Sequence, residues 1–121
     1  MGYKSNLNDR LFKFAVGVIK FLFGIENIPE TRILKNQLTK SSTSSGANYE
    51  EAQAASSNQD FLNKIRISLR EMRESNYWLR ILNDLKLGNF EKIELLNKES
   101  EELKNMLGSI AAKMDKRLKS K

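Results

Sequence analysis

The 121-residue sequence contains no cysteine and no histidine. That excludes disulfides, Cys/His zinc sites, thiol nucleophiles, His-based triads and an imidazole general base. The Glu-x-x-His ligands of carboxylate-bridged metal bundles are excluded with them. One proline and six glycines are too few for an all-β sandwich or barrel, which needs frequent turn signals. No glycine-rich phosphate loop is present, since Gly24 and Gly46 stand alone. The longest apolar run, Leu11 to Ile25, is broken by Lys13 and Lys20. It falls short of the roughly 20 apolar residues of a membrane span. No small-x-small cleavage site follows it, only Glu26-Asn27-Ile28-Pro29. The expectation is a cytoplasmic protein with no cofactor, no metal, no membrane partner and no small-molecule substrate.

What is present is 40% apolar and 30% charged residues, enough for one domain with a real core. The net charge is +6, and the last thirteen residues supply +4 of it. The basic tail, 113–121, holds Lys113, Lys116, Arg117, Lys119 and Lys121. Such a tail reads as a solubilising frayed end or, less commonly, as a set of phosphate contacts.

Periodicity divides the chain into four helical segments, about 8–23, 30–55, 57–87 and 89–118. In the first, Arg10, Lys13, Gly17 and Lys20 form a stripe about 80° wide, leaving about 220° apolar. An ordinary surface helix has an apolar stripe of about 100° or somewhat more, so this helix expects burial on two sides. One side faces its own bundle and the other faces another subunit. Phe12, Phe14 and Phe21 are the expected contacts, with Trp78 as a core or interface anchor. Pro29 opens the second segment. Its Ser41-Ser42-Thr43-Ser44-Ser45-Gly46 run reads by composition as a linker. The opposing reading is a helix whose small face lets a neighbour come close. The third begins at a Ser57-x-x-Asp60 capping pattern and ends at Gly88, and Asn89 caps the fourth. The fourth has an a/d seam of Ile93, Leu96, Ser100, Leu103, Leu107, Ile110 and Met114. Short links between the segments predict an all-α, up-down-up-down four-helix bundle.

Arg66, Arg70, Arg73, Tyr77 and Arg80 share one face of the third helix. They form either a solvated face paired with acids such as Glu50, Glu51 or Glu71, which is the commoner outcome, or a track for phosphates with tyrosine stacking on a base. The remaining carboxylates read as solvated helix faces.

Residues 33–52 carry a Gln37-Leu38 pair, Lys40, a small-residue run, then Asn48-x-x-Glu51-Ala52. This pattern resembles the signature of the four-helix-bundle proteins encoded in intervening sequences of bacterial 23S ribosomal RNA genes. Asp60-Phe61-Leu62-x-Lys64-Ile65 and Glu74-x-x-Tyr77-Trp78-Leu79 are similar to the third helix of one branch. The serine-rich run and Ala52, where Gly is commoner, depart from the pattern. The resemblance spans about residues 8–115 and implies that the serine run is the middle of a long second helix. It further implies a homopentameric ring, a non-enzymatic role and nucleic-acid binding. Gln37, Asn48 and Glu51 are then structural, with Arg66 or Arg70 as expected partners of Glu51. RNA or DNA would be held by Arg66, Arg70, Arg73, Tyr77 and Arg80, or by Lys113, Lys116, Arg117 and Lys119. Five copies of a +6 chain carry about +30 before counterions. The alternative is a protein-interaction scaffold whose charge serves solubility alone.

Overall fold

The computed structural model describes residues 3–120, with side chains from Asn6 onward. It contains α1 (Tyr3–Leu22), α2 (Pro29–Gln53), α3 (Asn58–Asp84) and α4 (Phe90–Lys119), and no strand among the described residues. Each helix packs on its chain neighbours, and α1 closes the circuit by packing on α4. Cross-helix pairs run in opposite directions along the junctions. Ser41 meets Ser75 and Ser45 meets Ser68 between α2 and α3. Asn76 meets Ser100 and Arg66 meets Asp115 between α3 and α4. The result is an antiparallel four-helix bundle in which the α1/α2 and α3/α4 sides lie opposite one another.

The helix ends follow local chemistry. Thr31 Oγ1 accepts the Ile28 N–H at 3.0 Å and donates to the Glu26 carbonyl at 2.5 Å, fixing the entry into α2 behind Pro29. Ser57 Oγ accepts the Asp60 N–H at 3.0 Å, and Asp60 Oδ2 accepts the Ser56 N–H at 3.1 Å. Asn89 Oδ1 accepts the Lys92 N–H at 2.9 Å. Helix α3 stops earlier than Gly88. Lys86 takes a left-handed conformation (φ 57°), donating to the Asn83 carbonyl, while Leu87 N–H reaches the Leu82 carbonyl. That is a Schellman ending with lysine at the usual glycine position. Gly88 (φ 76°) serves the connection instead, and a Cβ there would stand 2.7 Å from the Phe21 ring.

The serine run is helical throughout α2, and three of its serines are buried. Two of these face α3. Ser41 and Ser75 hydroxyls meet at 2.8 Å. Ser45 Oγ donates to the Ser68 carbonyl at 2.8 Å, and Ser68 Oγ donates back to the Ser45 carbonyl at 2.7 Å. Small side chains let the helices approach, and reciprocal hydrogen bonds satisfy hydroxyls that burial would otherwise penalise.

The core is mainly aliphatic: Leu7, Leu11 and Val18 of α1 join Leu38, Ile65, Met72, Leu79, Leu103 and Leu107 in one cluster. Phe14 and Phe21 belong to this core, at 3% and 2% exposure, which corrects their expected place at a subunit interface. The 220° apolar arc of α1 divides in two. Leu7, Leu11, Phe14, Val18 and Phe21, at i, i+4, i+7, i+11 and i+14, fill the bundle half. Phe12, Val16 and Phe23 take the outer half, Phe12 at 66% and Phe23 at 80% exposure. The polar stripe clasps α4: Arg10 donates to Glu99 at 2.6 and 3.0 Å and to Glu102 at 3.1 Å. The Glu99 contact holds the guanidinium more firmly protonated than usual. No helix among the described residues is long and apolar enough to cross a membrane.

Candidate nucleic-acid interface

The α3 arginines do not act as one stripe. Arg66 Nη2 lies 2.9 Å from Asp115 Oδ1, and the same carboxylate holds Lys119 Nζ at 3.0 Å. Lys119 first, and then Arg66, keep the Asp115 carboxyl below its usual value. Arg70 Nε stands 3.6 Å from Glu71. Those charges are compensated. The expected ion pair from Glu51 to Arg66 or Arg70 is not formed: Glu51 is exposed, and both arginines have other partners. Asn48 and Glu51 do not point together at a packed neighbour. Asn48 turns back along its own helix, donating to the Ser44 carbonyl and hydroxyl, while Glu51 points to solvent. Gln37 is exposed.

Arg73 and Arg80 differ. Arg73 is exposed and has no ion pair or hydrogen bond among the described residues. Arg80 Nε donates to Asn76 Oδ1 at 3.0 Å, a neutral partner that leaves its charge uncompensated. Its guanidinium carbon stands 5.7 Å from the centroid of the Tyr77 ring, a cation–π contact. Tyr77 also meets Trp78 edge-on at 5.1 Å, and Trp78 Nε1 donates to Glu74 at 3.2 Å. Trp78 is half-buried against the core cluster. On α4 the basic segment is helical through Lys119 rather than frayed, and Lys113, Lys116 and Arg117 project to solvent. Cations in this last turn also complement the negative helix end. Lys121 lies outside the described residues.

Asn76, Ser100, Lys104 and Asn105 also shape this side of the bundle, and sequence reasoning did not single them out as a site. Asn76, Lys104 and Asn105 border a cleft of about 510 Å³ together with Arg73 and Arg80. Asn76 Nδ2 donates to Ser100 Oγ at 2.8 Å in the buried layer beneath. Polar residues at core positions of two facing helices were the available signal.

On the opposite side, between α1 and α2, lies an apolar groove of about 300 Å³ bordered by Leu11, Phe12, Ala15, Val16, Ile19, Gly46 and Ala47. No group of His, Cys, Asp or Glu that could hold a metal ion occurs among the described residues.

The described residues form an antiparallel four-helix bundle with an apolar groove on one side and a polar cleft on the other. The family model described as 23S rRNA-intervening sequence protein matches residues 5–109, and the chain belongs to that family. No match was found among curated proteins. Among solved structures, the chain is similar to a protein of unknown function from the S23 ribosomal protein family of Bacteroides thetaiotaomicron, a crystal structure at 1.70 Å resolution. The two share 34% identity and a TM-score of 0.78, over 87% of this chain and 97% of the other.

Proposed function

We propose that the protein is a non-enzymatic homo-oligomeric bundle that binds nucleic acid on its α3/α4 side. One observation carries the reading: the apolar groove between α1 and α2 and the cleft bordered by Arg73 and Arg80 lie on opposite sides of the bundle. Copies can therefore join through the α1/α2 groove without covering Arg73, Arg80 or the α4 cations. Phe12, Val16 and Ile19 present a surface of the kind that monomeric proteins rarely leave in water. A closed ring needs two different complementary surfaces. The α1/α2 groove is one of them. The family resemblance points to five copies. Repetition of a weak basic site around such a ring raises its avidity for one polyanion.

The test is fluorescence anisotropy of a labelled RNA stem and of random duplex against the intact chain at several salt concentrations. Sequence-tolerant binding that weakens steeply with salt supports the reading. Absence of binding to either at about 50 mM salt, where such contacts are strong, refutes it and leaves a protein-interaction scaffold.

A further inference from the structure

The cleft between α3 and α4 is more than a place where cations happen to collect. Its floor is rigid and neutral, and one of its cations is fixed before any ligand arrives. Asn76 is 3% exposed and makes two hydrogen bonds in opposite directions. Its Nδ2 donates to Ser100 Oγ, whose own hydroxyl donates to the Asn97 carbonyl at 2.8 Å. Its Oδ1 accepts from Arg80 Nε. The amide orientation is thus set by α4 and hands a fixed acceptor to Arg80. With Nε engaged and the guanidinium carbon over Tyr77, the Arg80 side chain has lost most of its rotamer freedom. Its two terminal nitrogens make no hydrogen bond among the described residues.

Arg73 stands two helical turns earlier on the same flank, about 10.5 Å along the axis. Lys104 faces the cleft from α4, partly tethered to Glu101 at 3.0 Å. Three cations therefore border a volume of about 510 Å³, with Glu101 and Glu102 lining the adjoining furrow beyond Asn76 and Arg80. An oxyanion there would take charge-assisted hydrogen bonds from a planar fork already held in place. Pre-ordering lowers the entropic cost of binding.

We infer that this cleft is a phosphodiester site for single-stranded nucleic acid, with Arg73, Arg80 and Lys104 contacting the backbone and Asn76 positioning Arg80. This assignment rests on the nucleic-acid reading above and narrows it. The single strand follows from Tyr77, exposed beside Arg80, whose ring an unpaired base can stack on and a paired base cannot. Arg66, Arg70 and Lys119 do not border the cleft and stay outside the site.

The test measures binding of a labelled oligo(U) of about 12 nucleotides, and of a duplex of the same length, to the full chain between about 50 and 300 mM salt. The Arg73→Gln/Arg80→Gln variant should weaken single-strand binding about tenfold or more. Its log–log salt slope should fall by about 1.4, since each neutralised phosphate of a single strand contributes about 0.7. Asn76→Ala keeps both charges, so its affinity should fall several-fold while the slope stays. Lys40→Gln, an exposed cation of α2 outside the cleft, should leave the oligo(U) affinity nearly unchanged. Circular dichroism confirms that each variant retains its helices. Wild-type affinity and slope in the arginine variant overturn the cleft while leaving nucleic-acid binding standing. Preference for the duplex overturns the single-strand assignment. Failure of the wild-type chain to bind either probe removes the broader reading along with this one.

Discussion

If the α2/α3 spacing is set by serine, enlarging one serine must cost more than deleting its hydroxyl. Ser45 is fully buried and donates to the Ser68 carbonyl at 2.8 Å. Ser45→Ala removes that bond, worth about 1 kcal/mol net. Alanine's better helix propensity returns about 0.5 kcal/mol. The expected loss is therefore about 0.5–1 kcal/mol. Ser45→Leu forgoes the same bond and forces a branched side chain into a helix contact with no room for it, adding about 1–3 kcal/mol. For a chain of this length about 1 kcal/mol corresponds to a shift of about 4 °C in Tm. The expected order is wild type, Ala a few degrees lower, and Leu lower by about 6–16 °C. Thermal unfolding by circular dichroism at one fixed protein concentration measures it, because assembly couples stability to concentration. A leucine variant as stable as the alanine variant would refute the close-packed serine seam.

Other outcomes follow from particular contacts. Lys86→Gly should raise stability by roughly 0.5–1 kcal/mol, since glycine adopts the left-handed angle without strain, whereas Gly88→Ala should cost about 2–3 kcal/mol through its angle and the Phe21 ring; urea midpoints read both. Lys64 and then the Ser56 N–H hold Asp60 below the usual carboxylate value of 3.8, and Lys119 does the same for Asp115. Their folded values lie below the unfolded one, so their stabilisation is complete above about pH 4 and is lost as pH falls through the depressed values. Asp60→Asn should flatten that acid dependence in melts between about pH 2 and 5, and an unchanged profile would count against it. Phe14→Asp should unfold the chain by burying an unpaired charge in the core, a loss of helical ellipticity that Phe12→Asp should not share.

The bundle was legible where period and polarity agree. In α4, Ile93, Ser100, Leu103 and Leu107 of the a/d seam are buried, and Leu96, Ile110 and Met114 are partly buried against the same core. Helix α1 was legible as two-sided but not as to which side. An apolar arc of 220° has two halves, and only the partner helices decide that Phe14 faces inward and Phe12 outward. The serine run misleads by composition, because its hydroxyls are satisfied by Ser68 and Ser75, more than twenty residues away. The arginines spaced along α3 look equivalent in the sequence. Their difference lies in Asp115, Glu71 and Asn76, whose geometry only the packed helices reveal.

The central claim is an assembly joined through the α1/α2 groove that leaves the α3/α4 side open to nucleic acid. Light scattering of the wild-type chain with and without a short single-stranded RNA, beside Phe12→Asp, tests it most directly. The account predicts a wild-type mass several times 13.9 kDa that rises on adding RNA, and a smaller, still helical Phe12→Asp species. A wild-type chain that scatters as a 13.9 kDa monomer, with its mass unchanged by RNA, would contradict it.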